Sequence, residues 1–425
     1  MNINETCYFP NRNSEVGAMK IDELDILFLG MVYFPEQESE VFAKALGPVT
    51  TAANGLQWNL IQGLDENNER PVKIISALSI GSYPKHYKDL FVNETCFSHA
   101  KNSKDVSVGF TNVFIWQHLS KYLSIKPHLK KWAADGNRKK VIIAYGLNDL
   151  FVLCLRFIKR IAPEITTCII VPDLPASIYN SKKVPLVYRI ANKIDELIVM
   201  DNLNSIDKYV LLTAQMKDIL GIERNYVVVE GVATSINLPT KEKSKYDNVK
   251  EIVYAGSLTM KYGVLELIEA FKKIAKDNYR LIVCGDGEAK SRIISEATND
   301  KRIIYKGQLK RDEVLEAQRR ATVLINPRQN TGEYVKYSFP SKNLEYLSAG
   351  KCVIGYKLDG IPAEYDQYMF YPRDNSIKAL AETIQEVCEK DADFLFKFGQ
   401  RAREFVMTEK NSTVQARKIL DLCRE

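Results

Sequence analysis

The run Ser338-Phe-Pro-Ser-Lys-Asn-Leu-Glu-Tyr-Leu-Ser-Ala-Gly-Lys-Cys-Val-Ile-Gly355 decides how the rest of the chain is read. Before it, Val323-Leu-Ile-Asn-Pro327 is apolar and short, as a buried strand is. Ser338 is placed to cap a helix, and Pro340 falls near its first position, where a missing N–H costs nothing. Gly350 ends that helix, because glycine tolerates the left-handed conformation just past a C-terminus. Cys352-Val-Ile then opens another buried strand. The unit is strand, loop, helix, strand, and its helix opens with free backbone N–H groups beside Lys342. Such an end attracts anions, phosphate above all. Ser341 and Lys342 are placed to meet phosphates, and Glu345, about one turn inside, can accept hydrogen bonds from the two hydroxyls of a ribose.

Upstream, the second half of the chain repeats the same alternation. Glu251-Ile-Val-Tyr-Ala is a strand, 264–275 a helix, 279–284 a strand, 289–297 a helix, 303–305 a strand and 311–321 a helix. The loop Gly256-Ser-Leu-Thr-Met-Lys-Tyr-Gly263 follows a strand and precedes a helix, where ligands bind in doubly wound sheets. Gly285-Asp-Gly-Glu is a turn of structural character. The first half alternates similarly: strands at 25–32, 73–78, 139–145, 167–172 and 226–233, with helices at 55–63, 113–123, 149–161 and 186–193 between them. Glu196-Leu-Ile-Val-Met and Lys208-Tyr-Val-Leu-Leu-Thr continue the alternation. This pattern predicts two α/β units of doubly wound parallel sheet. Residues 1–20 read as a polar tail, 21–240 as the first domain, the charged stretch 241–250 as a linker and 251–407 as the second domain. The helix at 412–423, capped by Ser412 or Thr413, is expected to cross back to the first domain within 408–425.

A length of 425 residues suits two domains, and 46% hydrophobic with 26% charged residues is ordinary globular composition. No apolar run approaches the roughly 20 residues of a membrane span, and the N-terminus has no signal-peptide pattern, so a cytoplasmic location is expected. Cys168, Cys284 and Cys352 lie in apolar strands and read as reduced core residues. No Cys/His cluster has zinc spacing, and no nucleic-acid motif is present. A net charge of +6 fits anionic substrates or an anionic membrane surface. The run at 125–140 mixes basic residues with Trp132 and reads as a candidate contact with the inner face of a membrane.

The 338–355 run resembles the nucleotide-sugar signature of glycosyltransferase family four, in the version common among bacterial surface-polysaccharide enzymes. The resemblance covers 250–390 well and the first half by layout. It implies the GT-B fold, two Rossmann-like domains facing a cleft. It also implies a nucleotide-diphosphate sugar donor, often UDP-linked, no metal or other cofactor, and retention of anomeric configuration. In that pattern the second signature glutamate holds the donor ribose, and Glu345 matches it. The first stands eight residues earlier, where this chain has Tyr337; Glu333 lies four residues before that. The family's Gly-Arg-Leu and Lys-Gly correspond to Gly256, Ser257 and Lys261, so lysine is kept to grip the diphosphate and arginine is lost. Arg328 can supply the missing charge. Gln308 and Leu309, after Gly307, match the loop that cradles the base. In the first half, Gly47 and Asn54-Gly55 stand where the family has a Gly-Gly turn. Asp173, at the end of a strand, resembles the position of a His-Asp pair without its histidine, and could orient the acceptor hydroxyl or take its proton. Of four histidines, His99 reads as the one nearest the cleft. The acceptor implied is a glycan or a lipid-linked glycan. Two other readings remain open: an inactive partner subunit of the same fold, for which Tyr337 and Ser257 speak, and a nucleotide-sugar epimerase.

Overall fold

The computed structural model describes residues 24–47, 49–175, 185–234 and 249–425; the N-terminal tail and most of the 241–250 linker lie outside them. In chain order the first lobe opens with β1 (Asp25–Gly30), α1 (Pro35–Lys44), α2 (Thr51–Glu66) and β2 (Lys73–Ser76). Four short strands follow: β3 (Phe91–Val92), β4 (Thr95–Phe97), β5 (Asp105–Ser107) and β6 (Phe110–Thr111). Then come α3 (Trp116–Ala134), β7 (Lys140–Tyr145), α4 (Asp149–Ile161), β8 (Thr166–Val171) and α5 (Leu186–Asp201). The lobe closes with β9 (Lys208–Leu211), α6 (Met216–Leu220) and β10 (Tyr226–Val228). The second lobe runs β11 (Lys250–Ala255), α7 (Val264–Lys272), β12 (Tyr279–Cys284), α8 (Lys290–Asn299), β13 (Ile303–Gly307) and α9 (Arg311–Arg320). It continues through β14 (Val323–Asn326), α10 (Ser341–Ser348), β15 (Cys352–Gly355), α11 (Ile377–Cys388), α12 (Ala392–Glu409) and α13 (Ser412–Arg424).

The first sheet has the order β10-β9-β8-β7-β1-β2-β5-β4, and every neighbouring pair is parallel except β4 with β5. The second, β13-β12-β11-β14-β15, is parallel throughout. Central strands are buried on both faces, so they read as unbroken apolar runs rather than alternating ones: Lys140–Tyr145 is buried at every position. Helices cover both faces of each sheet, as parallel crossovers require.

The chain recrosses after α12. Asn411, not Ser412 or Thr413, caps α13 by accepting from the Val414 N–H. α13 then packs on α2 of the first lobe, so closely that a Cβ on Gly63 would lie 2.1 Å from the Ser412 carbonyl oxygen. Asn67 donates to the Thr413 carbonyl at 2.8 Å. Where the lobes meet, Lys410 Nζ lies 2.6 Å from both Glu230 and Glu364. The Tyr365 hydroxyl also donates to Glu230, at 2.7 Å.

Three sequence expectations change. Glu196–Met200 is not a strand but the end of α5, because its apolar residues continue a helical spacing from Leu186. Within 113–140, Trp116–Ala134 forms one helix that runs across Pro127. Trp132 is core, 2% exposed, with its indole N–H donated to Asp25. It does not face a membrane; the basic run turns its aromatic residue inward and only lysines such as Lys130 and Lys131 outward.

Candidate functional site

In a doubly wound sheet the ligand crevice lies outside the carboxyl ends of the strands, where the strand order reverses. In the second lobe that point falls between β11 and β14. The loops leaving these strands are 256–263 and 327–340, so Ser257, Lys261, Arg328 and the signature helix emerge together. Gly263 makes the meeting possible: it adopts φ +77°, and a Cβ there would sit 2.1 Å from the Pro327 carbonyl oxygen. Gly285 packs the neighbouring turn on the same loop, with room for no Cβ against the Gly256 carbonyl.

The result is a cationic corner with aromatic walls. Lys261, in a 3₁₀ turn, is exposed, with Nζ 5.4 Å from the Tyr262 ring centre and 5.8 Å from that of Tyr334. Arg328 leans on the same two rings at 5.7 and 5.1 Å. It is 8% exposed and donates through Nη1 to Ser338 Oγ at 3.2 Å. Its Nε has no hydrogen-bond partner, and neither Arg328 nor Lys261 forms an ion pair among the described residues. A buried cation without a counter-ion is costly.

Beside it opens α10. Its N-cap is Pro340 rather than Ser338, with no side chain capping the first turn. Proline displaces the serine because its fixed φ suits the entry to a helix, and Ser338 is left to bind Arg328 instead. Lys342 lies next to the Gly256 loop: its Cε would be 3.5 Å from a Cβ on Gly256. Its Nζ is 3.5 Å from Glu345 Oε1, which also accepts from Gln318 Nε2 at 2.5 Å. Glu345 is thus oriented from behind and remains partly exposed. Ser341 and Gln308 are exposed, and Leu309 is half-buried where β13 gives way to α9. Tyr337 closes the 3₁₀ turn Glu333–Tyr337 and packs against the hydrophobic core of the first lobe. It therefore belongs to the contact between lobes. Close by, Thr213 donates to the Lys336 carbonyl at 2.9 Å.

In the first lobe the order reverses between β1 and β7. Asp173, just past β8, is exposed; crowding by the protein around it raises its pKa, and its charge reaches Tyr145 at the end of β7. Sequence reasoning missed a second group here. His118 Nδ1 lies 2.7 Å from Asp149 Oδ1, at the start of α4, and the Asp149 N–H donates to Asp195 at 2.8 Å. Burial raises the Asp195 carboxyl to about 6. The available signal was Asn148-Asp149 directly after a strand, the position that opens a helix at a sheet's carboxyl edge.

Of the residues standing where the family has a Gly-Gly turn, Asn54 lies within α2 and accepts from the Tyr33 N–H, shaping the loop after β1. His99 is not at the cleft. It is held between Asp105, 2.7 Å from Nδ1, and Asp65, 3.1 Å from Nε2. Both lie at the amino edge of the sheet, since Asp105 begins β5 and Asp65 ends α2. Among the described residues, no group of three or more His, Cys, Asp or Glu side chains is arranged to hold a metal ion.

Two Rossmann-like lobes, each presenting its carboxyl edge to a common cleft and joined by a returning C-terminal helix, define the GT-B fold. Residues 238–405 match the family model of glycosyl transferases group 1. Among solved structures, the chain resembles sucrose-phosphate synthase from Thermosynechococcus elongatus, with a TM-score of 0.64 at 14% identity over 94% of this chain and 98% of that one. It resembles Anabaena HepE in complex with UDP, with a TM-score of 0.58 at 13% identity over 93% and 98%. It also resembles WaaG, a glycosyltransferase involved in lipopolysaccharide biosynthesis, with a TM-score of 0.56 at 13% identity over 94% and 99%. At these identities the likeness is one of fold. Among curated proteins no match is found.

Proposed function

We propose that the chain is a glycosyltransferase that takes a sugar from a nucleoside-diphosphate donor, with uridine as the favoured base. The second lobe holds the donor, and the first receives the acceptor. The observation that carries this reading is Arg328: buried, without a carboxylate partner, and beside Lys261 and the uncapped start of α10. A diphosphate supplies the missing negative charge there, and Glu345 takes the ribose hydroxyls. As the glycosidic bond breaks, charge grows on the leaving diphosphate. Lys261, Arg328 and the α10 amides stabilise it where it develops. This arrangement calls for no metal. Asp173 orients the acceptor hydroxyl or accepts its proton from across the cleft, and the His118–Asp149 pair is a second group able to take that proton.

The family match over 238–405 supports transfer chemistry, and the likeness to HepE with UDP supports the base. The likeness to WaaG favours an acceptor in bacterial surface polysaccharide, either a glycan or a lipid-linked glycan. Retention of anomeric configuration is part of the same proposal. One observation favours a different reading, an inactive partner subunit: Tyr337, in the place of the first signature glutamate, packs on the other lobe.

Calorimetry with UDP tests the site. Arg328→Ala is expected to weaken binding by about ten- to a hundredfold, the worth of one charge-assisted hydrogen bond. Equal affinity in wild type and variant overturns the assignment. Asp173→Asn should lower transfer while sparing UDP affinity. Donor bound with no transfer to any lipid-linked glycan extract would favour the partner-subunit reading.

A further inference from the structure

Helix α9 packs on the second lobe through half-buried Val314, Leu315 and Ala317, yet its one fully buried residue is Gln318, 1% exposed. A buried amide is expected to find partners for both of its ends. Gln318 finds one. Its Nε2 donates to Glu345 Oε1 at 2.5 Å, while its own Oε1 is buried with no hydrogen-bond partner among the described residues. A methionine or leucine of similar volume would fill the space and strand no acceptor, so packing alone favours an apolar residue there. The amide serves its single partner, which lies 27 residues away on α10. That contact divides the Glu345 carboxylate. Lys342 Nζ, at 3.5 Å, faces the same Oε1, and Oε2 has no partner among the described residues. The Glu345 side chain is 24% exposed, enough for a ligand to reach it.

We infer that Gln318 is a positioning residue through which the donor site selects ribonucleoside over 2′-deoxyribonucleoside diphosphates. This deepens the glycosyltransferase reading and rests on it. A free glutamate side chain samples several rotamers, and ordering it on binding costs affinity. Gln318 sets that conformation beforehand: Oε1 is anchored, and Oε2 stands open to the ribose hydroxyls. Without the amide, the carboxylate turns to Lys342, the other described group that faces it. That pairing draws the carboxylate from the ribose and the ammonium from the diphosphate together. The interaction at stake is a charge-assisted hydrogen bond from the 2′-hydroxyl. Thymidine diphosphate sugars lack that hydroxyl, and they are the donors such a site turns away. Helix α9 begins just past Gln308 and Leu309, so the loop assigned to the base and the support for the ribose glutamate belong to one rigid element.

Calorimetry of the full chain with UDP and with 2′-deoxy-UDP tests this without acceptor or turnover. Wild-type protein should prefer UDP by about ten- to a hundredfold. Gln318→Met should reduce that preference by about tenfold, mainly by weakening UDP, while the melting temperature stays equal or rises. Gln318→Leu should do the same, and Glu345→Ala should remove the preference altogether. A role confined to folding predicts another pattern: both Gln318 variants melt lower, bind the two nucleotides more weakly by the same factor, and keep the ratio. That pattern overturns the inference, as does a wild type that binds both nucleotides equally. No binding of UDP at all, or a full preference surviving in Glu345→Ala, overturns the donor-site reading itself.

Discussion

A guanidinium held in protein without a carboxylate, as Arg328 is, costs several kcal/mol that an incoming anion can recover. That reasoning extends to its neighbours. Lys261→Ala and Glu345→Ala should each weaken nucleoside-diphosphate binding by about ten- to a hundredfold, read by calorimetry. Lys261→Ala should also lower kcat, since its partner gains charge in the transition state. His99 carries a different test. Burial works against its charged form, yet the hydrogen bonds to Asp105 and Asp65 prevail and hold its pKa up to about 9. Its contribution to stability is therefore full below the unfolded value of about 6.5 and is lost as pH rises toward 9. Across that window, denaturant unfolding should lose up to about 3 kcal/mol. His99→Gln should be less stable at pH 6 and should flatten this part of the profile; an unchanged slope would sink the account.

At the scale of elements, α10 was the most legible in sequence. Its proline, lysine, glutamate and terminal glycine are local signals, each tied to a helix position. Its anchoring was not legible. The Tyr346 hydroxyl accepts from the Ala255 N–H at 2.9 Å and donates to the Ala255 carbonyl at 3.1 Å, which fixes the helix to the end of β11. No periodicity announces a contact between residues so far apart. The misreadings have the same origin. Glu196–Met200 is apolar and short, which fits a strand or a helix end, and only its neighbours in space decide. Trp132 among lysines looked like an interfacial residue because the sequence does not say which side of α3 meets the sheet. Tyr346→Phe should leave the buried Ala255 N–H unpaired and cost about 1–3 kcal/mol. Melting should record that loss, and UDP affinity should fall with it as the loop at Gly256 loosens. Ser348→Ala, which removes only a bond to the helix's own Leu344 carbonyl, serves as the control. An intact UDP affinity in Tyr346→Phe would separate the anchor from the site.

For the whole molecule, alternation of strands and helices made the two lobes readable, and the terminal helix followed from the family pattern. What joins the lobes did not. Glu230 stands at the end of the first lobe and Lys410 between α12 and α13, and both are 2% exposed at their side chains. Burial alone would raise the Glu230 carboxyl; the charge and hydrogen bond of Lys410 overcome it and hold the pKa below its ordinary value. Glu364 and Tyr365, from the second lobe, complete the cluster, which borders a cavity of about 330 Å³ between the lobes. The pair ties together three segments on which any change in the angle between lobes must pull. Lys410→Met removes the cation and strands Glu230 in protein, which should cost about 3–5 kcal/mol by denaturant unfolding. Adding Glu230→Gln removes the stranded charge and should recover much of the loss, because the penalty lies in the unpaired ion more than in the missing contact. The sign with pH follows from the depressed pKa: the wild-type contribution is present above the ordinary glutamate value and is lost as pH falls through the folded one. If the pair also sets the closed angle of the cleft, the double variant should regain stability yet bind UDP with altered affinity. If it acts on stability alone, stability and UDP affinity will return together, and the cleft's geometry must then be held by the Thr213 and Gln215 contacts instead.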